Sequence, residues 1–153
     1  MTIDQNKATA RRLVEDGFNK HDLKLVDQIY SLDAKTHDPQ QPNLARGPEG
    51  VRQSMQGYIT AFPDARLTIE REIAEGDYVV QHLRTRGTHT APLAGIPATG
   101  KKTEVTGVMT SKFENGKIVE SWSLFDQLGL MQQLGIVPVP ETAKKPELVG
   151  AAR

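Results

Sequence analysis

The apolar positions of this chain change their main period near residue 63. Up to residue 62 they recur at helical spacing, and from residue 65 they alternate. Ala10, Leu13, Val14, Gly17 and Phe18 share one side of a first helix. Thr2 and Gln5 precede it at the spacing of a capping box, in which the hydroxyl accepts from a backbone N–H while the amide reaches back. Asn19-Lys20-His21-Asp22 interrupts the pattern. Asp22 suits the cap of a short second helix with Leu25, Val26, Ile29 and Tyr30 on its apolar side. Residues 33–38 fit a short strand ending at Asp38-Pro39, and the Pro/Gln/Gly-rich residues 39–48 a loop, plausibly a rim or lid. Gly47-Pro48 opens a third helix, with proline where its missing N–H costs nothing. Val51, Met55, Tyr58, Ile59 and Phe62 form its stripe, and Pro63-Asp64 stops it.

Strands follow. Residues 65–75 place Leu67, Ile69 and Ile73 on one side, Gly76-Asp77 turns the chain, and residues 78–90 form a long strand. A loop with Pro92, Gly95, Pro97 and Gly100 leads to a strand over 102–114. Asn115-Gly116 then marks a type I′ hairpin, because both residues tolerate positive φ. In the strand after it, strict alternation puts Ile118, Glu120, Trp122, Leu124 and Asp126 on one face, and Val119, Ser121, Ser123, Phe125 and Gln127 on the other. Leu128, Leu130, Met131 and Leu134 close with a short helix ending at Gly135. Helices followed by consecutive long antiparallel strands indicate an α+β fold, with helices covering one face of a curling sheet. The domain is expected over 1–137, and 138–153 as an extended or partly disordered tail.

Composition narrows the function. With 153 residues the chain can bury a substantial core. Lys+Arg and Asp+Glu both number 19, so no basic excess supports a nucleic-acid backbone binder. Cys 0 excludes disulfides, thiolate metal sites and a cysteine nucleophile. The polar start and the lack of a long apolar run indicate a soluble, cytoplasmic chain with no membrane contact. His21, His37, His82 and His89 include no i,i+4 pair, so no metal site is expected. No Gly-x-Ser-x-Gly elbow or Gly-rich phosphate loop is present.

Asp126 is the sharpest candidate. Beside Trp122 and Leu124 its carboxylate would be desolvated, which raises its pKa toward the range useful for proton transfer. The plainer reading is a carboxylate capping the last helix. His89, in phase with Leu83, Thr85 and Gly87, could polarise a carbonyl, or simply hold the following loop. His37 could be an oriented base, or belong to a turn fixed by Asp38. Trp122, Tyr58, Phe62, Met55, Met109 and Leu124 would wall a binding site for a planar ligand, or form ordinary core. His82 and Arg84 fit a solvated or subunit-facing surface, or an anion site if their face looks inward.

Several motifs in this order resemble the SnoaL-like polyketide cyclase (ester cyclase) family. They are Asn19-Lys20-His21-Asp22, His37-Asp38-Pro39, Gly47-Pro48-Glu49-Gly50, Phe62-Pro63-Asp64, Gly87-Thr88-His89-Thr90, Gly95-Ile96-Pro97-Ala98-Thr99-Gly100-Lys101, Gly116-Lys117-Ile118-Val119-Glu120-Ser121-Trp122 and Asp126-Gln127-Leu128-Gly129-Leu130-Met131-Gln132-Gln133-Leu134-Gly135. The resemblance covers roughly residues 8 to 137. It implies a cone-shaped, nuclear-transport-factor-like α+β barrel with an internal pocket, assembled as a homodimer or homotetramer. It also implies a cofactor-free cyclase or isomerase acting on a small hydrophobic carbonyl-bearing molecule, with Asp126 at the position of the general acid/base of an aldol closure. The family pattern includes a histidine on the preceding strand, and residues 102–114 contain none. Two rivals remain. One is a hydrolase or dehydratase similar to limonene epoxide hydrolase, which would need a second aspartate beside Arg84 or Arg86. The other is a non-catalytic carrier.

Overall fold

The Thr2–Gln5 capping box forms, with Gln5 N–H donating to Thr2 Oγ1 (3.1 Å) and Thr2 N–H to Gln5 Oε1 (2.9 Å). It starts α1 (Ile3–Arg12), which widens into a π-helical turn (Leu13–Phe18) where Asn19 N–H reaches back five residues to the Val14 carbonyl. That turn delivers Asn19 to the sheet. Its amide donates to the Leu67 carbonyl (2.9 Å) and accepts from the Leu67 N–H (2.8 Å), so one side chain pairs with a strand backbone as a neighbouring strand would. This computed structural model describes residues 1–143. The tail expected over 138–153 lies, from 144 onward, outside the described residues.

The remaining elements are α2 (Leu25–Ile29), β1 (Tyr30–His37), α3 (Pro48–Ala61), β2 (Arg66–Glu75), β3 (Tyr78–Thr88), β4 (Lys102–Glu114), β5 (Lys117–Phe125) and α4 (Gln127–Gln133). β1 begins three residues earlier than its pattern suggested, because α2 runs straight into it at Tyr30. The five strands form one curved, open sheet in the order β1-β5-β4-β3-β2. β2 to β5 are antiparallel as expected, whereas β1 joins β5 in parallel, so the sheet is mixed. Asn115 and Gly116 both have positive φ (51° and 79°), as a type I′ turn requires.

Two register shifts decide which face each residue takes. The β2–β3 pairing runs Ile69↔Leu83 and then Arg71↔His82, leaving Glu70 as an extra residue. Ile73 is therefore turned away from Leu67 and Ile69 and is 53% exposed, which corrects the shared side expected for the three. The β4–β5 pairing runs Phe113↔Ile118 and then Lys112↔Glu120, leaving Val119 unpaired. Ile118 and Ser121 are thus both buried on one face, and Glu120, Trp122 and Leu124 take the other.

Helices cover the face that carries Val79, Gln81, Leu83, Thr85, Ser111, Ile118 and Ser121, all buried. α1 packs on β2 and β3, α2 on β1 and β5, and α4 on β4. α3 leans on β1 and α2, and Met109 and Ser123 on the covered face of β4 and β5 are only half-buried. The core is accordingly divided. One cluster is built around Leu13, Ile29, Val79, Phe113 and Ile118, the other around Phe18, Ile59, Phe62, Val105 and Leu130, and Met55 packs against both.

Candidate functional site

On the covered face Met55 and Tyr58 of α3, Met109 of β4 and Ser123 of β5 are only half-buried, and we read the ground between them as a recess. Register sets Glu72, Gln81, Met109 and Ser123 in one row across the covered face, with Leu83, Gly107 and Phe125 in the next. Phe125 is 36% exposed and stands at the end of the recess. The covered face is not purely apolar, since Gln81, Thr85, Ser111 and Ser121 are buried on it. Burial pushes the Tyr58 phenol up, opposed by the Thr85 hydroxyl. It pushes the Tyr30 phenol up to about 12, opposed by the Ser121 hydroxyl.

His89 closes one end of the covered face of β3. It is 0% exposed and its ring stacks on Phe62 (centroids 5.1 Å apart), which stacks in turn on Tyr58 (4.7 Å). Thr99 N–H donates to Nδ1 (3.2 Å), and this assigns the hydrogen of the neutral ring to Nε2. That Nε2 is buried with no hydrogen-bond partner. The His89 backbone ties the neck of the following loop, donating to the Lys101 carbonyl (2.9 Å) and accepting from Gly100 N–H (2.7 Å). Of the two readings of this histidine, loop support is the one these bonds show.

Asp126 stands at the corner where β5 ends and α4 turns back over β4. Its Oδ1 accepts from Gly129 N–H (2.8 Å), making it the N-cap of α4. The carboxyl is exposed, flanked by the exposed apolar side chains Leu124, Phe125 and Leu128. The desolvation expected from Trp122 and Leu124 does not occur in the protomer, because the shift at Val119 puts those two on the open face. The Asp126 carboxyl is therefore at an exposed corner, next in the chain to Phe125, and not inside the recess.

Three further candidates lie away from the recess. His37 ends β1 on the open face, its Nε2 2.6 Å from Glu120 Oε2 and its ring stacked on Trp122 (5.3 Å). Trp122 also meets Tyr78 there (6.3 Å), and Leu124 is 63% exposed. None of the three lines the covered face, which corrects the expectation that Trp122 and Leu124 share a wall with Met55, Tyr58 and Met109. Phe62, at 0% exposure, supports Tyr58 and His89 from behind. His82 and Arg84 are on the open face, where Arg84 bonds Glu70 (3.1 Å) and Glu104 (2.9 Å). Gln81, Ser123 and Phe125 were missed. The signal for Gln81 was a polar residue in phase with Val79 and Leu83; for the other two it was hidden by the bulge.

Among the described residues no group of three or more His, Asp or Glu is placed to hold a metal ion, and no helix is long and apolar enough to cross a membrane. An open cavity of about 340 Å³ lies under the hairpin turns, lined by residues such as Asn6, Asp77 and Glu114, and contains none of the candidates.

A curved open five-stranded sheet backed by helices on one face is the nuclear-transport-factor-like α+β class. A family model described as SnoaL-like polyketide cyclase matches residues 8–134, and the chain belongs to that family. It is 32% identical over 138 residues to the aklanonic acid methyl ester cyclase DnrD of Streptomyces peucetius, covering 86% of this chain and 92% of that protein. Among solved structures it resembles TsrD of Streptomyces laurentii (TM-score 0.81, 25% identity, 90% and 99% of the two chains). It also resembles wild-type IdmH of Streptomyces antibioticus (TM-score 0.74, 32% identity, 86% and 99%).

Proposed function

We propose that this chain is a cyclase or isomerase that moves a proton within a small, hydrophobic, carbonyl-bearing molecule of the polyketide type. The observation that carries the reading is the corner at Asp126. One carboxylate oxygen is fixed by Gly129 N–H, the other has no hydrogen-bond partner among the described residues, and the exposed apolar residues Phe125 and Leu128 are its near neighbours in the chain. An aldol closure needs a base to take a proton from a carbon α to a carbonyl. The resulting enolate carbon attacks a second carbonyl carbon, and an acid protonates the new alkoxide. One carboxyl group serves both steps, since the proton it takes from carbon is the proton it gives to oxygen. Substrate and product are isomers, so the step consumes no water and needs no oxidant.

The rest of the site supports this. A guest seated against Phe125 and Leu128 would displace water from Asp126 and raise its basicity. Met55, Tyr58 and Met109 would hold the guest folded, which supplies the proximity term of an intramolecular reaction. His89 would offer its Nε2–H to a substrate oxygen. The relative that cyclises aklanonic acid methyl ester makes aromatic polyketide esters the substrate class to try first. The open sheet face, with Ile73, Tyr78, Trp122 and Leu124, is the surface on which we place a second copy of the chain. A hydrolase of the Asp–Arg–Asp kind is less well supported, because Arg84 and Arg86 are engaged with Glu70 and Glu104 away from the recess.

The test is mass analysis of products from a panel of β-keto esters in oxygen-18 water. An isomeric, unlabelled product is expected. A product that has gained labelled water would replace this reading with the hydrolase, and tight binding without conversion would replace it with the carrier.

A further inference from the structure

We infer that Gln81 reads a hydroxyl group on the bound molecule, and that Glu72 is the positioning residue that aims it. This deepens the proposed function and rests on the recess being the ligand site.

Gln81 is 1% exposed on the covered face of β3, in the row that contains Met109 and Ser123. Its Nε2 donates to Glu72 Oε2 (2.9 Å), and Glu72 is paired through its other oxygen with Arg11 (2.8 Å). A carboxylate only accepts, so it fixes which way round the amide lies. The end facing Glu72 must be the NH₂, and the other end must be the carbonyl Oε1. That Oε1 is buried and has no hydrogen-bond partner. A buried acceptor left unpaired costs about 1–3 kcal/mol. A polar side chain kept at this depth therefore points to a donor that arrives with the ligand.

Chemistry narrows the donor. Met55 and Met109 pack against the apolar cluster of Val79, which precedes Gln81 by two residues on the same face of β3, so the ligand body is apolar and the donor is carried on it. An acceptor attracts a hydroxyl and repels a carbonyl or ether oxygen, so Gln81 would distinguish a hydroxyl from its oxygen-masked counterparts. Met109 stands between Ser123 and Gln81 in the row, and its flexible side chain can move aside to let a ring reach the amide. The class of ligand is an apolar molecule with a hydroxyl on the edge that enters first.

The experiment measures the affinities of 2-naphthol and 2-methylnaphthalene, which differ by a hydroxyl against a methyl. They are compared in the full chain and in its Gln81→Met and Glu72→Gln variants, with the melting temperature of each recorded. Gln81→Met keeps the length of the side chain and removes the acceptor. Glu72→Gln can donate to Gln81 and so allows the amide to turn round. The preference for the naphthol should fall at least tenfold in Gln81→Met, and in Glu72→Gln as well. A purely structural role would lower the melting temperature and leave the preference intact. A preference that changes less than twofold in Gln81→Met overturns the inference. Binding of neither compound to the wild type overturns the recess as the ligand site, and this inference with it. If Gln81→Met fails to fold, the crystal structure of the wild type with 2-naphthol decides. The hydroxyl within hydrogen-bond distance of Oε1 supports the assignment, and an internal water alone on Oε1 rejects it.

Discussion

The ring of Phe125 lies directly on the backbone of Gly107. A Cβ built at position 107 would stand 2.4 Å from the ring, closer than any real contact. The absence of a side chain there lets the ring lie flat at the end of the recess. Gly107→Ala should force the ring outward and destabilise the protein by about 1–3 kcal/mol. Adding Phe125→Ala should restore most of that loss. The pair should therefore couple by at least about 1 kcal/mol in a double-mutant cycle read from urea unfolding. Additive losses would mean the ring and the glycine are independent.

Asn19 holds the π-helical turn to β2 through two hydrogen bonds with one residue, Leu67. Asn19→Ala removes both partners from a part-buried backbone N–H and C=O. The expected loss is about 2 kcal/mol, each bond contributing about 1. Asn19→Asp keeps the acceptor for Leu67 N–H but sets a carboxylate oxygen against the Leu67 carbonyl, so it should not rescue. A loss below about 0.5 kcal/mol in Asn19→Ala, by urea midpoint at constant slope, would reject the clamp.

Much of the architecture was legible because local chemistry and tertiary packing agree. The Thr2–Gln5 box, the Gly47-Pro48 helix start and the Asn115-Gly116 turn each contain their own geometric cause. The faces of β2 and β5 were not legible, because single extra residues at Glu70 and Val119 each invert the alternation and neither has a sequence mark. The second inversion moved Trp122 and Leu124 out of the expected wall and brought Ser123 and Phe125 toward the recess. For Asp126, the plainer reading from the sequence is the one observed: it caps α4, and its carboxyl is exposed rather than desolvated.

Tyr30 gives the protein an alkaline limit. Its phenol is held to about 12 in the fold, against 10.0 for an unperturbed group. Below pH 10 it is protonated in both states and its contribution is fully present. Between about 10 and 12 the unfolded chain loses the proton first, so stability falls as pH rises through that window, by up to roughly 3 kcal/mol. Unfolding free energies measured from pH 9 to 11.5 should decline, and Tyr30→Phe should make the decline shallower. An unchanged slope in the variant would show that another group dominates.

Asp64 sets a smaller acid dependence. Thr88 donates to its carboxylate from both the backbone N–H and the hydroxyl (2.7 Å each), holding its pKa below the usual carboxylate value. Its contribution is therefore present above about pH 4 and is lost as pH falls through the lowered folded value. Asp64→Asn should reduce the acid sensitivity of unfolding below pH 4, and equal sensitivity in both proteins would dismiss the contribution.

Proton transfer by Asp126 is tested most directly by deuterium exchange at the α-carbon of a bound aromatic β-keto ester, followed by NMR in heavy water. Asparagine is as good an N-cap as aspartate, so Asp126→Asn should melt at nearly the same temperature and leave α4 intact. The wild type is expected to speed the exchange, and Asp126→Asn to lose that acceleration by about 10²-fold or more. Equal exchange by the two proteins would contradict the account.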